Sequence, residues 1–159
     1  MQTRSVGDIT RGWLHEARWE LEDLALGPQA AWGYKATDRE SLPLPVAVYE
    51  LRSRPGLIVL QADAAGDREQ FEVIRKNERL SLELQSMLLK HHVEYNMEAA
   101  LAKVVILDRV FEEGLDKNLF WRRINILRMA TLDAMFFLRR RALRTHSISQ
   151  IDGLGSGRD

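Results

Sequence analysis

Apolar residues recur at helical spacing along the stretch from Leu115 to Leu143. This stretch contains neither Pro nor Gly and is rich in residues that favour helices. The pattern predicts one helix about 43 Å long at ~1.5 Å per residue, with Asp116 as its N-cap. Alternating spacings of four and three place six residues on one face that must pack against the rest of the chain. These residues are Phe120, Ile124, Leu127, Thr131, Ala134 and Leu138.

The clearest strand signal is a pair of apolar, alternating segments at residues 46–52 and 57–63. Pro55-Gly56 lies between them and predicts a tight turn, because Pro presets φ and Gly accepts positive φ. The two segments therefore predict an antiparallel hairpin. We expect one of its faces to be wholly apolar, and the other to be apolar at one end and charged at the other. The apolar end of this second face is predicted to consist of Val46, Val48, Leu57 and Val59.

The remaining elements are short. Capping-box spacings that begin at Ser5 and Asp67 predict two further helices, and the second helical pattern stutters near Asn77. Residues 67–91 therefore form either one helix or two. Further extended segments are predicted at residues 31–36, 93–101 and 103–111. Because runs of strands lie between helices without βαβ alternation, we predict an α+β fold with one twisted antiparallel sheet and helices on one face.

Length and composition are those of an ordinary globular domain. A chain of 159 residues, 45% hydrophobic and 29% charged, can bury a substantial core. We predict one domain at residues 1–143 and a disordered tail at 144–159, where apolar residues lose their periodicity. The N-terminus lacks an apolar signal segment and charges interrupt the long helix, so we expect no membrane contact and a cytoplasmic location.

The charge is balanced overall but not along the long helix. The chain has 23 basic and 23 acidic residues, whereas the segment from Asp116 to Arg144 has eight basic and two acidic, a balance of +6. Its basic end consists of Arg139, Arg140, Arg141 and Arg144. These arginines follow Phe136-Phe137, and basic residues beside aromatic ones are typical of nucleic-acid surfaces. Arginine is also favoured at helix C-termini for electrostatic reasons, so direct nucleic-acid binding is the alternative and not the preferred interpretation.

Motifs for catalysis, metal binding or cofactor binding are not apparent. The chain has no Cys, which excludes disulfides and thiolate sites. His91-His92 lies near Glu94, but adjacent histidines on a helix point about 100° apart and rarely share an ion. The glycines at 153–157 lack the Lys and the following helix of a phosphate-binding loop. We therefore expect no enzyme activity, no metal and no cofactor.

Some apolar residues lie away from the predicted core faces. Met129, Leu132 and Phe136 lie on the far side of the long helix, and Leu82 and Leu89 lie opposite the core face of the middle helix. Either the helices are buried on most sides, or these residues contact a second copy or another protein. Exposed patches of this kind are unusual in monomers, and Met and aromatic residues are enriched in interface cores. We predict dimer or partner contacts at these residues and at the four hairpin residues named above.

The order of elements, the Pro-Gly hairpin and the segment VEYNMEAALAKVVILDRVFEEGLDKNLFWRRINILRMATLDAMFFL resemble the YbjN-like family. The fold of that family is that of type III secretion chaperones, and the resemblance spans about residues 8–143. It implies a non-enzymatic homodimer that binds another protein as its client. It further implies a chaperone-like or regulatory role, which suggests a client in a stress or DNA-damage response.

Overall fold

The computed structural model describes the backbone of residues 5–152 and the side chains of residues 5–140. Within that range one six-stranded sheet has the order β1-β2-β3-β4-β6-β5, and all neighbouring strands are antiparallel. The predicted α+β fold, with helices on one face and a long C-terminal helix, is confirmed. The elements are α1 (Val6–Glu16), β1 (Glu20–Asp23), β2 (Ala30–Thr37), β3 (Val46–Leu51), β4 (Leu57–Ala65), α2 (Arg68–Lys76), α3 (Glu78–Leu89), β5 (Glu94–Glu98), a short 3-10 helix (Ala99–Leu101), β6 (Lys103–Phe111) and α4 (Lys117–Asp152).

The helices begin at the predicted capping residues. Ser5, Asp67 and Asp116 each accept a hydrogen bond from a backbone N–H in the first turn that follows, at 2.7–3.2 Å. Asn77 ends α2, and its side chain caps α3, so residues 67–91 form two helices. Each capping side chain accepts a hydrogen bond from a backbone N–H that has no partner within the helix. Short helices can therefore start at these residues.

The core lies between the sheet and α4. The six residues predicted to form the packing face of this helix, from Phe120 to Leu138, are all fully buried. They pack mainly against β4 and β6, while α2 and α3 pack beside α4 on the same side of the sheet. Trp13 of α1 extends the core, with its ring centroid 5.5 Å from that of Phe120. The periodicity of the sequence therefore identified the buried face of α4 correctly.

Helix α4 is longer than the sequence predicted. It ends at Asp152, whereas the apolar pattern predicted an end at Leu143 and a disordered tail from residue 144. Loss of apolar periodicity suggested disorder, but residues 144–152 contain no Pro or Gly, and the first glycine is Gly153. A helical backbone can continue without an apolar face until such a residue is reached. The rest of the predicted tail, 153–159, lies outside the described residues.

The turn between β3 and β4 has the predicted chemistry. The backbone N–H of Leu57 donates to the carbonyl of Arg54 at 3.2 Å and closes a four-residue turn around Pro55-Gly56. Gly56 has a φ of +79°, which an L side chain rarely adopts. The turn therefore fixes the register of the hairpin.

That register differs by one residue from the predicted one. Val48 pairs with Leu60, so the even-numbered residues of both strands share one face of the sheet. Val46 and Val48 consequently lie in the core, beneath the helices, with no exposed surface. Leu57 and Val59 lie on the opposite face. The predicted grouping of these four residues on one surface is corrected: a shift of one residue moves every side chain of a strand to the other face.

Candidate protein-binding surfaces

The sheet face opposite the helices carries an apolar patch at one end. Pairing between β3, β4 and β6 brings its side chains together, because Tyr49 lies beside Val59 and Leu57 lies beside Phe111. The described helices pack on the other face, so Phe111 remains 69% exposed. We call this surface the open-face patch. It consists of Tyr49, Leu51, Leu57, Val59, Leu107 and Phe111.

Part of the open-face patch lines a hollow of about 360 Å³ next to the hairpin turn. The aliphatic residues Leu51, Leu57 and Leu107 line it together with Tyr49 and Val59. Val59 is only 7% exposed because neighbouring strands flank it. The hollow therefore presents an apolar lining that a partner side chain could contact without a change in the backbone.

A second hollow of about 350 Å³ lies beside the first, and Tyr49 lines both. Leu24 and Leu26, from the segment between β1 and β2, form part of its wall. Leu26 packs closely over Gly33, where an added Cβ would lie 2.7 Å from its Cδ1. The small residue at 33 thus lets this segment lie on the sheet and border the second hollow.

The other end of the open face is polar. The hydroxyl of Tyr49 donates to Gln61 Oε1 at 3.1 Å, and Gln61 Nε2 donates to Asp63 Oδ1 at 3.1 Å. Lys103 Nζ donates to Asp63 Oδ2 at 2.7 Å, and this bond raises the pKa of the Lys103 ammonium. Burial raises the pKa of Tyr49 as well. The predicted contrast between an apolar and a charged end is therefore present, on a face made of different β3 residues from those predicted.

The predicted stripe on α4, Met129, Leu132 and Phe136, lies outside the core. Met129 and Phe136 are exposed, Phe136 by 60%, whereas Leu132 is half-buried. We call these three residues the α4 stripe. Leu82 and Leu89 on α3 are also exposed, as the pattern of that helix predicted. Within the described chain, α4 therefore leaves Met129 and Phe136 uncovered.

The histidine at the end of α3 links these two helices. His91 Nε2 lies 2.7 Å from Asp133 Oδ2, so the C-terminal end of α3 is held against the middle of α4. Asp133 is one helical turn from both Met129 and Phe136. The contact fixes the position of α3 relative to the helix that carries the α4 stripe.

Several basic residues of α4 pair with acids of the same chain. Lys117 forms an ion pair with Glu16. Arg128 lies 3.3 Å from Asp38 and 4.9 Å above the ring of Trp19. A hydrogen bond from Ser41 and the nearby Arg128 hold the pKa of Asp38 below its usual value. These contacts attach α4 to the end of α1 and to the loop before β3, and they use part of the basic charge within the molecule.

The basic end of α4 is only partly described. Arg139 and Arg140 are exposed and form no hydrogen bond or ion pair with the described residues. The side chains of Arg141 and Arg144 lie outside the described part of the chain. The four arginines therefore remain a candidate nucleic-acid contact.

Sequence reasoning missed four residues of the open-face patch: Tyr49, Leu51, Leu107 and Phe111. Tyr49 and Leu51 alternate correctly with their neighbours, but the predicted register placed them on the wholly apolar face. Leu107 and Phe111 share one side of β6, as predicted, yet no pattern in the sequence shows that β6 pairs with β4. A correct turn length between β3 and β4 would have identified Tyr49 and Leu51.

None of the helices described has the length and low charge needed to cross a membrane.

Comparison with known proteins identifies a family and two similar structures. A family model described as "Uncharacterized conserved protein (DUF2299)" matches residues 8–138. No curated protein matches the chain. The crystal structure of an uncharacterized protein from Methanothermobacter thermautotrophicus is similar, with a TM-score of 0.70 and 16% identity over 84% of this chain and 96% of that chain.

The second similar structure is described as "Crystal Structure of the ExsC-ExsE Complex". One of its chains gives a TM-score of 0.54 and 20% identity over 86% of this chain and 96% of that chain. At such identities both comparisons show a shared fold. They confirm the fold of the type III secretion chaperone kind that the sequence predicted, whereas the YbjN-like identification stays a prediction.

Proposed function

The chain belongs to the family described as "Uncharacterized conserved protein (DUF2299)", and for a member with this fold we propose a non-enzymatic role in binding another protein. The observation that carries the proposal is the open-face patch, an apolar surface that the described helices leave uncovered. Large exposed apolar residues cost solubility in a protein that functions alone, whereas they supply the driving force for association with a partner.

The shape of the patch supports a bound polypeptide segment. Two hollows meet at Tyr49, and the lining of the second includes Lys35, Gln61 and Asp63, so an apolar side chain of a bound segment could occupy the first hollow and a polar one the second. The polar network beyond Tyr49, with Asp63 and Lys103, offers a boundary at which an apolar segment would end. ExsC and ExsE form a complex in the structure whose fold this chain shares, which is consistent with partner binding on such a scaffold.

The proposal includes a homodimer that forms through the helices. The α4 stripe and the two exposed leucines of α3 are apolar and lie apart from the open-face patch, so a second copy could cover them while the sheet stays accessible. Aromatic and Met side chains, such as Phe136 and Met129, are enriched in interface cores. A cytoplasmic client from a stress or DNA-damage response is the finer hypothesis that the family resemblance suggests.

A matched pair of substitutions tests the binding role. Phe111→Asp places a charge on the open-face patch. Leu101→Asp is the control and places a charge on a leucine beyond the patch that is 61% exposed, close to the 69% of Phe111. We expect affinity capture with mass spectrometry, from stressed and unstressed cells, to recover a partner with the wild type and Leu101→Asp but not with Phe111→Asp. Equal recovery by both variants would contradict the assignment of the patch.

Nucleic-acid binding is the alternative, and it is favoured by Arg139 and Arg140, which are exposed and form no ion pair with the described residues. Contacts from arginine to phosphate give affinity that falls steeply with salt. Binding of a single-stranded oligonucleotide at low salt that is lost in Arg139→Glu/Arg140→Glu would establish this alternative. No binding at low salt would end it.

A further inference from the structure

The hollow beside the hairpin turn has a charged rim. Arg54 and Arg109 line it together with the apolar residues of the open-face patch, and no acidic side chain lines it in the described part of the chain. We propose that this hollow selects a polypeptide segment in which an acidic side chain adjoins a bulky apolar one. The inference rests on the proposed binding role and adds the chemistry of the partner.

Arg54 is available to a ligand. Its side chain is exposed and forms no hydrogen bond or ion pair with the described residues. A guanidinium presents five N–H donors in a fixed fork that matches a carboxylate. Arg54 lies in the turn directly before Pro55-Gly56, and the turn fixes its backbone. Only the side chain of Arg54 must therefore become ordered when a ligand binds.

Arg109 adds a second positive charge, although part of its guanidinium already contacts a carboxylate of the same chain. Its Nη2 lies 3.0 Å from Glu94 Oε2, and both side chains are exposed. An exposed pair of this kind is weak, so Glu94 orients the guanidinium without preventing a second contact. Arg109 pairs with Val59 across β4 and β6, which places the charge directly beside the apolar lining of the hollow.

The carboxylate of Glu50 does not neutralise this rim from the β3 side. Its Oε2 accepts from Trp32 Nε1 at 2.8 Å, and its Oε1 accepts from the backbone N–H of Gly56 at 3.2 Å. Glu50 pairs with Ile58, and both belong to the face that packs against the helices. Glu50 therefore leaves the two arginines as the charged residues that line the hollow. Glu94, which pairs with Leu107 on the open face, partly offsets the charge of Arg109, so Arg54 carries the charge that no described acid balances.

The hollow favours a polypeptide over a small acid because its apolar surface continues beyond it. Phe111 lies beside Leu57 at one side, and the second hollow begins at Tyr49 on the other. An extended segment rises about 3.3 Å per residue and its side chains alternate between two faces, so side chains two residues apart, about 6.6 Å along the segment, could place a carboxylate at the rim and an apolar group inside. Charge then determines which segments bind, and apolar contact supplies most of the affinity.

Selection from a library of random 12-residue peptides tests this inference. The immobilised baits are the full wild-type chain, Arg54→Glu, and Arg122→Glu as a control with the same charge change on an exposed residue of α4. We expect the wild type and Arg122→Glu to enrich peptides with Asp or Glu two residues from a bulky apolar residue. Arg54→Glu should lose this preference and bind a selected wild-type peptide about tenfold or more weakly. Replacing the acidic residue of that peptide by Lys should restore binding to Arg54→Glu.

The outcomes separate the inference from the proposed function. Peptides enriched without an acidic preference, or bound equally by Arg54→Glu, would overturn the inference, while their loss in Phe111→Asp would still support the binding role. If the wild type enriches no peptide, both the inference and the assignment of the open-face patch are contradicted. Enrichment that Arg54→Glu and Arg122→Glu lose equally would reflect net charge alone and would also overturn the inference.

Discussion

Asp108 is a carboxylate held beneath a helix. It lies on the core face of β6, opposite Leu60, and is only 6% exposed. Its Oδ1 accepts from the backbone N–H of Arg109 at 2.8 Å, while its Oδ2 is 3.5 Å from Arg123 and has no hydrogen bond among the described residues. Burial raises the pKa of Asp108, and the positive charge of Arg123 only partly opposes this effect. The ionised side chain is therefore costly in the folded protein.

The raised pKa of Asp108 predicts a pH dependence of stability. From the ordinary value of 3.8 upward, the unfolded chain loses this proton while the folded chain retains it, so the free energy of unfolding falls as pH rises to the folded-state pKa. We expect the free energy of unfolding of Asp108→Asn, measured with urea, to fall less than that of the wild type as pH rises. Glu113→Gln, which changes an exposed carboxylate, is the control and should follow the wild type. Parallel pH profiles for Asp108→Asn and the wild type would contradict the assignment.

At the scale of elements, local chemistry and the β3–β4 hairpin were predictable, whereas the register of the hairpin was not. Ser5, Asp67 and Asp116 cap helices because a short polar side chain before an apolar periodic run satisfies the first N–H groups. Alternation along β3 shows that its side chains point to two faces of the sheet. It does not show which residues of β4 share each of these faces. That match depends on the turn, and a difference of one residue moved Tyr49 to the open face.

Two glycines of α1 provide a prediction at the same scale. At Gly7 an added Cβ would lie 2.8 Å from Cδ2 of Trp32, whose ring is held by its hydrogen bond to Glu50. At Gly12 nothing lies within 4 Å of an added Cβ. Because Gly weakens a helix interior, Gly12→Ala should raise the free energy of unfolding by about 0.5–1 kcal/mol.

Gly7→Ala should instead lower the free energy of unfolding by about 1–3 kcal/mol, since the close contact must displace Trp32 or shift α1. Urea denaturation of both variants measures the difference. A stabilising effect of Gly7→Ala, equal to that of Gly12→Ala, would show that α1 can move away from β2 at little cost.

At the scale of the whole molecule, the exposed apolar residues form separate surfaces. The buried face of α4 rests on one side of the sheet, so the α4 stripe points away from the sheet. The open-face patch lies on the other side of the sheet. Sequence periodicity predicted the α4 stripe because one helix contains all of its residues. It did not predict the open-face patch, which three strands assemble.

This separation predicts that assembly and partner binding respond to different substitutions. Phe136 and Phe111 are similarly exposed, by 60% and 69%, and each lies on one of the two surfaces. Phe136→Glu should convert the proposed dimer to a monomer in light scattering and leave partner or peptide capture intact, because the sheet is unchanged. Phe111→Asp should abolish capture and leave the molar mass unchanged. A wild type that is strictly monomeric at high concentration would refute the dimer. Loss of capture in Phe136→Glu would show instead that the partner spans both surfaces or requires the assembled pair.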